Sequence, residues 1–345
     1  MASRAVLLAN LGSPDSFQVK DVRNYLAEFL MDERVIDIPY LVRAMLVRGI
    51  IVPFRAPKSA AKYKTIWTEN GSPLIHISRL VQRKLSDEMQ LPVGLCMRYA
   101  NPTPTHALDQ LSRENPDLQE VVLMPLYPHY AMSSYETAVD HVRKAHAKGN
   151  YRFKLKVVPP FFQHPAYIEA LANSMEPYLQ QEFDHVLFSY HGIPKRHVLK
   201  TDQTGSHCFS SDGCCDIGSK AHEVCYRHQV ISTTRLVAAK LGLPKEKFSF
   251  SFQSRLGADA WLQPYSVEQF EKFPQQGIKK LVVVCPAFVS DCLETLEEIQ
   301  IEGREDFIKA GGEQFTVIPC LNERDEWIQA VCQMVLEQFE QTVPA

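Results

Sequence analysis

Apolar residues along the chain fall into short runs separated by amphipathic stretches. Eight of the runs read as strands: 5–10, 93–98, 120–126 and 153–158, then 185–189, 248–253, 280–285 and 315–319. Helical patterns occupy most of the intervals, and strands alternating with helices imply βαβ units and parallel sheets. The spacing from second to third to fourth strand is similar in the two sets. The third strands also look alike, Val122-Leu123-Met124-Pro125-Leu126-Tyr127 beside Val283-Val284-Cys285-Pro286-Ala287-Phe288, and each leads to a Glu-Thr pair, Glu136-Thr137 and Glu294-Thr295. This pattern predicts a duplication: two similar α/β domains facing each other across a cleft, each a parallel four-stranded sheet flanked by helices. The boundary is expected near Pro159-Pro160-Phe161-Phe162 or in the helix after it, dividing the chain into 1–165 and 166–322. A tail, 323–345, carries Trp327, Val331, Val335 and Phe339 on one helical face and is expected to pack back.

The run Asp184-His185-Val186-Leu187-Phe188 is apolar enough for a strand buried on both faces. It delivers Ser189-Tyr190-His191-Gly192-Ile193-Pro194 to its C-terminal end, where open α/β sheets hold their ligands. His191 there reads as a base, a metal ligand or a capped loop residue. A second stretch, Ser290-Asp291-Cys292-Leu293-Glu294-Thr295, follows the strand 280–285 at the same edge. Asp291 and Glu294 have capping-box spacing, with Ser290 as the alternative cap. Glu294, Glu298 and Glu302 also stand four residues apart, one above another on a helical face. Three like charges in a row repel, so a buried ladder needs a purpose such as a cation or a proton. Trp261, in the loop after the sixth strand, suits either the cover of a flat ligand or the core.

Composition narrows the field. With 345 residues, 45% hydrophobic and 22% charged, the chain is globular and long enough for two domains. A formal charge of −3 speaks against nucleic-acid binding. The N-terminus runs straight into a strand pattern without the features of a signal peptide, and no apolar run reaches the length of a membrane span. The expected location is cytoplasmic, with a peripheral membrane contact through the apolar region 41–54 as an addition. Of nine cysteines, five are scattered and read as small buried hydrophobes. Cys208, Cys214, Cys215 and Cys225 are crowded within 18 residues as C-x5-CC-x9-C. Four thiolates suffice for an iron–sulfur cluster or a tetrahedral zinc. The adjacent pair is unlike the C-x2-C knuckle of most zinc sites.

Taken in order, Asn10-Leu11-Gly12-Ser13-Pro14, Gly71-Ser72-Pro73-Leu74, Met97-Arg98-Tyr99, Tyr127-Pro128-His129-Tyr130, Ser189-Tyr190-His191-Gly192-Ile193-Pro194, Ser254-Arg255-Leu256-Gly257 and Phe288-Val289-Ser290-Asp291-Cys292-Leu293-Glu294-Thr295-Leu296 resemble the ferrochelatases. The resemblance runs from about residue 5 to residue 322. It implies a fold of two Rossmann-like, chelatase-like domains with a porphyrin cleft between them, and insertion of Fe2+ into protoporphyrin IX as the terminal step of haem synthesis. By resemblance, His191 and Glu294 are the catalytic pair at the substrate iron. Glu298 and Glu302 match the family's acidic path for protons or metal. Leu11, Arg98, Tyr99, Tyr127, Tyr130 and Trp261 match positions near the porphyrin.

Two departures stand out. Cys292 replaces a histidine common in the family, and the cysteines that bind a 2Fe-2S cluster in animal members are missing. Instead a segment of about 20 residues, 205–228, interrupts the second domain with the four crowded cysteines. Some bacterial ferrochelatases resemble this chain in carrying an internal four-cysteine 2Fe-2S segment. A 2Fe-2S cluster at Cys208, Cys214, Cys215 and Cys225 is therefore expected, with zinc as the alternative. The rival readings are a two-lobed siderophore or metal-binding protein, a related chelatase acting on coproporphyrin or with cobalt, and an iron–sulfur sensor.

Overall fold

In a computed structural model, residues 3–255 and 259–340 are described. Leu256 and Gly257 of the Ser254-Arg255-Leu256-Gly257 motif lie outside them, as does the end of the tail from residue 341. The chain divides into two compact units, one made of 1–126, 132–159 and 323–345, the other of 127–131 and 160–322. The division falls between Pro159 and Pro160, at the start of the Pro159-Pro160-Phe161-Phe162 stretch and ahead of residue 165, and a short piece, 127–131, packs with the second unit and not the first.

The first unit holds β1 (Ser3–Asn10), β2 (Val93–Met97), β3 (Leu118–Pro125) and β4 (Lys154–Val157) in the order β2-β1-β3-β4. The second holds β5 (His185–His191), β6 (Phe248–Gln253), β7 (Lys280–Val284) and β8 (Gln314–Val317) in the order β6-β5-β7-β8. All pairings are parallel. The two sheets correspond strand for strand, with the first strand central in each. Residues 5–8 and 186–188 are completely buried, as strands covered on both faces must be.

In the second unit, Leu187, Leu281, Val283 and Phe315 of the sheet pack against Phe270, Phe273, Ile299 and Phe307 of the helices that cover it. Each such side chain contributes about 1.5–3 kcal/mol by leaving water. In the first unit the helix Asp325–Glu340 buries Trp327, Val331, Val335 and Phe339. Arg4 lies 4.7 Å over the Phe339 ring, and Lys156 Nζ donates to the Gln338 carbonyl at 2.8 Å.

The ends of the central strands are built by close backbone approach. After β1, Tyr99 N–H donates to the Leu11 carbonyl at 2.9 Å and Arg98 N–H to the Asn10 carbonyl at 2.7 Å. Gly12 sits at φ +103°, and a Cβ on it would stand 1.9 Å from the Tyr99 carbonyl oxygen. Gly12→Ala is therefore expected to cost more than about 2 kcal/mol of stability, through forced displacement of that segment and the strained backbone. Urea denaturation with an unchanged midpoint would refute this account of the turn.

Candidate active site

The strand β5 runs two residues beyond its expected end and includes His191 itself, which pairs with Gln253 at the end of β6. His191 is half-buried at the C-terminal edge. Its Nδ1 is 2.6 Å from the Gly192 carbonyl, and its own carbonyl accepts from the Tyr226 hydroxyl at 2.8 Å. Gly192 N–H donates to the Gln253 carbonyl at 2.8 Å. A Cβ at Gly192 would meet that carbonyl at 2.9 Å and the Trp261 ring at 3.2 Å, so glycine is what lets the histidine turn close. Trp261 is buried against this turn, and its backbone pairs with Pro194. It packs as wall, not as an exposed cover.

Glu294 opens a ten-residue π-helix, Glu294–Gly303, which passes into the α-helix Arg304–Lys309. The expected α-helix is thus replaced over the whole glutamate ladder by the wider i→i+5 form, which is rare at this length and frequent at functional sites. Its turn takes more than four residues, so steps of four fall just short of a full turn and the three glutamates stay on one side. Glu294 and Glu298 are half-buried and Glu302 is exposed, so the ladder runs from the interior to solvent. Ser254, held at φ +64°, donates its hydroxyl to the Glu298 carboxylate. A non-glycine residue in the left-handed region is uncommon and tends to mark a constrained site.

The capping box expected at Ser290, Asp291 and Glu294 does not form, and the helix start has no side-chain cap. The Asp291 carboxylate instead accepts from Thr295 Oγ1 at 2.9 Å and Asn322 Nδ2 at 2.7 Å. Ser290 Oγ is buried without a hydrogen-bond partner. The carboxylate of Glu294 is not consumed in capping. The Cys292 thiol is buried and hydrogen-bonded to it, and that burial together with the neighbouring charge drives the thiol well above its ordinary range. Cys292 is therefore a neutral neighbour of Glu294.

Gln253 joins these parts, a role no motif announced. Its Oε1 accepts from Ser189 Oγ at 2.7 Å, and its Nε2 donates to the Glu294 backbone carbonyl at 3.0 Å. One side chain, 6% exposed, thus links the His191 strand to the first residue of the glutamate helix.

In the first unit, Leu11 is half-buried at the end of β1. Arg98 and Tyr99 follow β2, and both bond the buried Asp32. Arg98 Nη2 and the Tyr99 hydroxyl reach Asp32 Oδ2 at 2.5 and 2.9 Å, and Arg98 Nε donates to Thr137 Oγ1 at 2.7 Å. Burial works against the Asp32 charge, but the Thr137, Arg34 and Arg98 contacts outweigh it and hold the carboxyl below its ordinary range. Tyr99 is fully buried, so it offers a ligand no surface and serves to orient Arg98, whose guanidinium lies 4.3 Å over its ring. Tyr127 and Tyr130, expected at the edge of the first domain, belong to the second unit. There Tyr130 N–H donates to Gln229 Oε1 at 2.6 Å, and His129 Nε2 meets Thr233 Oγ1 at 2.9 Å. Burial pushes His129 down to about 3, so it is neutral at pH 7.

The four crowded cysteines are all buried. Cys215 is hydrogen-bonded to Cys225 and Cys214, and Cys208 to Cys225. Burial pushes Cys208 up to about 11, and the Cys225 contact drives Cys215 higher still. Arg227 Nη1 donates to Cys214 Sγ at 3.6 Å, and Asp202 accepts from the Cys208 N–H at 2.8 Å, so the loop is tied at both ends. Four thiols linked in a chain of contacts, Cys208–Cys225–Cys215–Cys214, with a cationic neighbour fit a multi-thiolate group. Among the described residues no three or more His, Cys, Asp or Glu side chains stand about one point as a ready-made single-ion site.

Two parallel sheets of identical strand order, with a histidine at the edge of one and a carboxylate ladder beside it, define a protein of the chelatase class. The fold is similar to that of SirB from Bacillus subtilis, solved with Fe3+, at TM-score 0.54 and 11% identity over 98% of each chain. A multi-domain protein of Deinococcus radiodurans described as structurally similar to chelatases matches at TM-score 0.52 and 11% identity. That match takes in 99% of this chain and 56% of the other. Such identities speak for the fold alone. The sequence goes further: a family model for ferrochelatase matches residues 3–339. The ferrochelatase of Opitutus terrae is 50% identical over 97% of each chain, and that of Stutzerimonas stutzeri 44% identical over 97% of this chain and 98% of its own. The chain belongs to the ferrochelatase family, and its reaction is insertion of Fe2+ into protoporphyrin in haem synthesis.

Gln253→Ala would remove the bond to the Glu294 carbonyl and one of the two at the Ser189 hydroxyl, which keeps Ser266 Oγ at 2.9 Å. A stability loss of about 1–3 kcal/mol is expected, with a fall in turnover exceeding what the loss of folded protein explains. Urea midpoints and rates per folded molecule separate the two effects. A full rate on the folded fraction would show that the link is structural only.

Proposed function

We propose that His191 is the base that accepts a pyrrole proton and Glu294 the carboxylate that balances the incoming iron. The observation behind this is their connection through Gln253 at one sheet edge. Both pyrrole protons must leave as Fe2+ enters the macrocycle. A neutral imidazole at a strand end is suited to take one of them near pH 7. Glu298 and Glu302 carry protons or metal between the site and solvent, a role supported by the gradient from half-buried to exposed. The residues proposed to meet the porphyrin are Leu11 and Arg98 in the first unit and Tyr127, Tyr130 and Trp261 in the second, with Asp32 and Tyr99 fixing the orientation of Arg98.

His191→Ala should lower turnover by roughly 100-fold or more, the usual cost of losing a general base, while porphyrin binding persists. Glu294→Gln should be as severe with little change in stability, since no cap is lost. Anaerobic assays with Fe2+ and protoporphyrin, read by the metalloporphyrin spectrum, test both. Rates within tenfold of wild type would remove these residues from the chemistry.

The four cysteines are proposed to hold a 2Fe-2S cluster, with zinc as the alternative. The pairwise thiol contacts favour a group with two metal centres over a single ion. Bound there, the group would supply one-electron redox capacity, and Arg227 would offset the charge on Cys214. Its main effect is expected to be on folding, because a ligated loop is a fixed loop. Replacing any of the four with Ser should bleach the protein and lower its thermal stability. Iron and labile sulfide near two each per chain are expected after anaerobic purification. One zinc without sulfide would replace the cluster reading with the alternative.

The site of action is proposed as cytoplasmic with peripheral membrane contact. No helix among the described residues is long and apolar enough to cross a membrane. Yet Leu41, Met45 and Phe54 are 74%, 70% and 74% exposed, with Tyr40, Val42 and Ile50 beside them and Arg48 among them. A patch of that kind fits a lipid surface, where an apolar porphyrin partitions. Flotation with anionic vesicles should carry the protein upward, and Leu41→Ser with Phe54→Ser should abolish it. No flotation of the wild type would remove the membrane from the picture.

A further inference from the structure

The cysteine-bearing segment contains a second group of ligand atoms apart from the thiols. His207 Nε2 lies 2.8 Å from the Cys214 carbonyl oxygen and 3.2 Å from His222 Nε2. His222 Nε2 is 3.3 Å from the same carbonyl. The three atoms close a triangle. His222 is held in place by stacking on His228, with ring centroids 3.6 Å apart and planes 8° from parallel. His228 is itself satisfied on both nitrogens, Nδ1 at 2.9 Å from the Cys215 carbonyl and Nε2 at 3.3 Å from Ser232 Oγ.

The triangle is not satisfied in that way. A carbonyl only accepts, and each imidazole has a single Nε2 position for a hydrogen. A hydrogen on His207 satisfies two edges and leaves the His222 lone pair facing the carbonyl. Hydrogens on both rings leave two N–H groups facing each other. A cation placed over the triangle satisfies all three atoms at once.

We propose that His207 Nε2, His222 Nε2 and the Cys214 carbonyl form a site for one borderline divalent cation of the Zn2+ or Fe2+ kind. Imidazole bonds of about 2.0–2.1 Å to such an ion place neighbouring ligand atoms about 3.0–3.4 Å apart, close to the observed edges. Two imidazoles select these metals over Mg2+ and Ca2+, which prefer oxygen. All three histidines are half-buried, so water completes the coordination shell. The ion ties the residue before Cys208 to the short helix Lys220–Glu223, closing the loop that carries Cys208, Cys214 and Cys215. The site stands whether or not the thiols hold a cluster.

Iron and labile sulfide are measured first, so that zinc held by the thiols is told apart. The purified protein, without porphyrin, is then dialysed against low-micromolar Zn2+, and zinc is counted per chain in wild type, His191→Ala, His222→Ala and His222→Gln. The glutamine variant keeps a donor for the Cys214 carbonyl and removes the imidazole. Both His222 variants are expected to lose one zinc equivalent that His191→Ala retains, with sulfide at the wild-type level. Zn2+ is expected to raise the Tm of wild type and not of His222→Gln. Equal zinc in wild type and His222→Gln, or a Tm that Zn2+ shifts alike in both, overturns the proposal.

Discussion

The active edge of the second unit depends on one buried amide. Gln253 is polar at the buried end of β6, where its side chain bonds the Ser189 hydroxyl and the Glu294 carbonyl and its own carbonyl accepts from the Gly192 N–H. Its backbone closes the histidine turn and its side chain fixes the helix that begins with Glu294. Burying an amide is costly unless both of its ends are bonded, and here both are. The separation of His191 and Glu294 is thereby set by one strand end instead of by two independent loops. Preorganisation of this kind is what a site needs when it must accept protons and admit a metal in the same small volume.

The duplicated sheets show how one such edge was specialised. Leu123 pairs with Leu7 as Val284 pairs with Phe188, so with the third strands superposed Asn10 takes the place of His191, Ser133 that of Glu294 and Glu136 that of Glu297. Both third strands lead into a π-helical turn at the same point, Met132–Glu136 and Glu294–Gly303. The chemistry was not kept in both. Asn10 spends its side chain on the Leu11 N–H and the Ser78 hydroxyl, and Glu136 is paired with Arg34 at 3.0 Å. A neutral amide and a neutralised carboxylate form a structural corner. The second unit carries His191 and Glu294 at these places, and it is to this edge that the proposed proton and metal handling is assigned.

Much of this was legible in the residues. Eight apolar runs located all eight strands to within a few positions, because strands buried on both faces leave uninterrupted apolar signatures. The Glu-Thr repeat fell on the helix that follows each third strand, at the end of the π-helical turn in the first unit and at its start in the second. The π-helix was hidden, since side-chain spacing of four fits one face of either helix and the difference lies in the backbone ladder. Gln253 and Asp32 were hidden for a related reason: a single polar residue in an apolar or loop context gives no hint of partners 41 or 105 positions away. Tyr99 was legible as a motif residue but not as a buried one, because aromatic character alone does not separate a ligand wall from a core.

The cysteine segment follows another logic. It departs from the sheet only after the His191 turn is complete, and it rejoins at Tyr226, whose hydroxyl holds the His191 carbonyl. The helix that follows, Tyr226–Lys240, also supplies Gln229 to Tyr130 and Thr233 to His129. Whatever fixes the segment therefore fixes the start of a helix on which one side of the candidate site rests. The four thiols and the His207–His222 pair lie beside that junction, so metal bound there as proposed would hold the helix in place. On that proposal, loss of bound metal would be felt at Tyr226 before it reached the sheet.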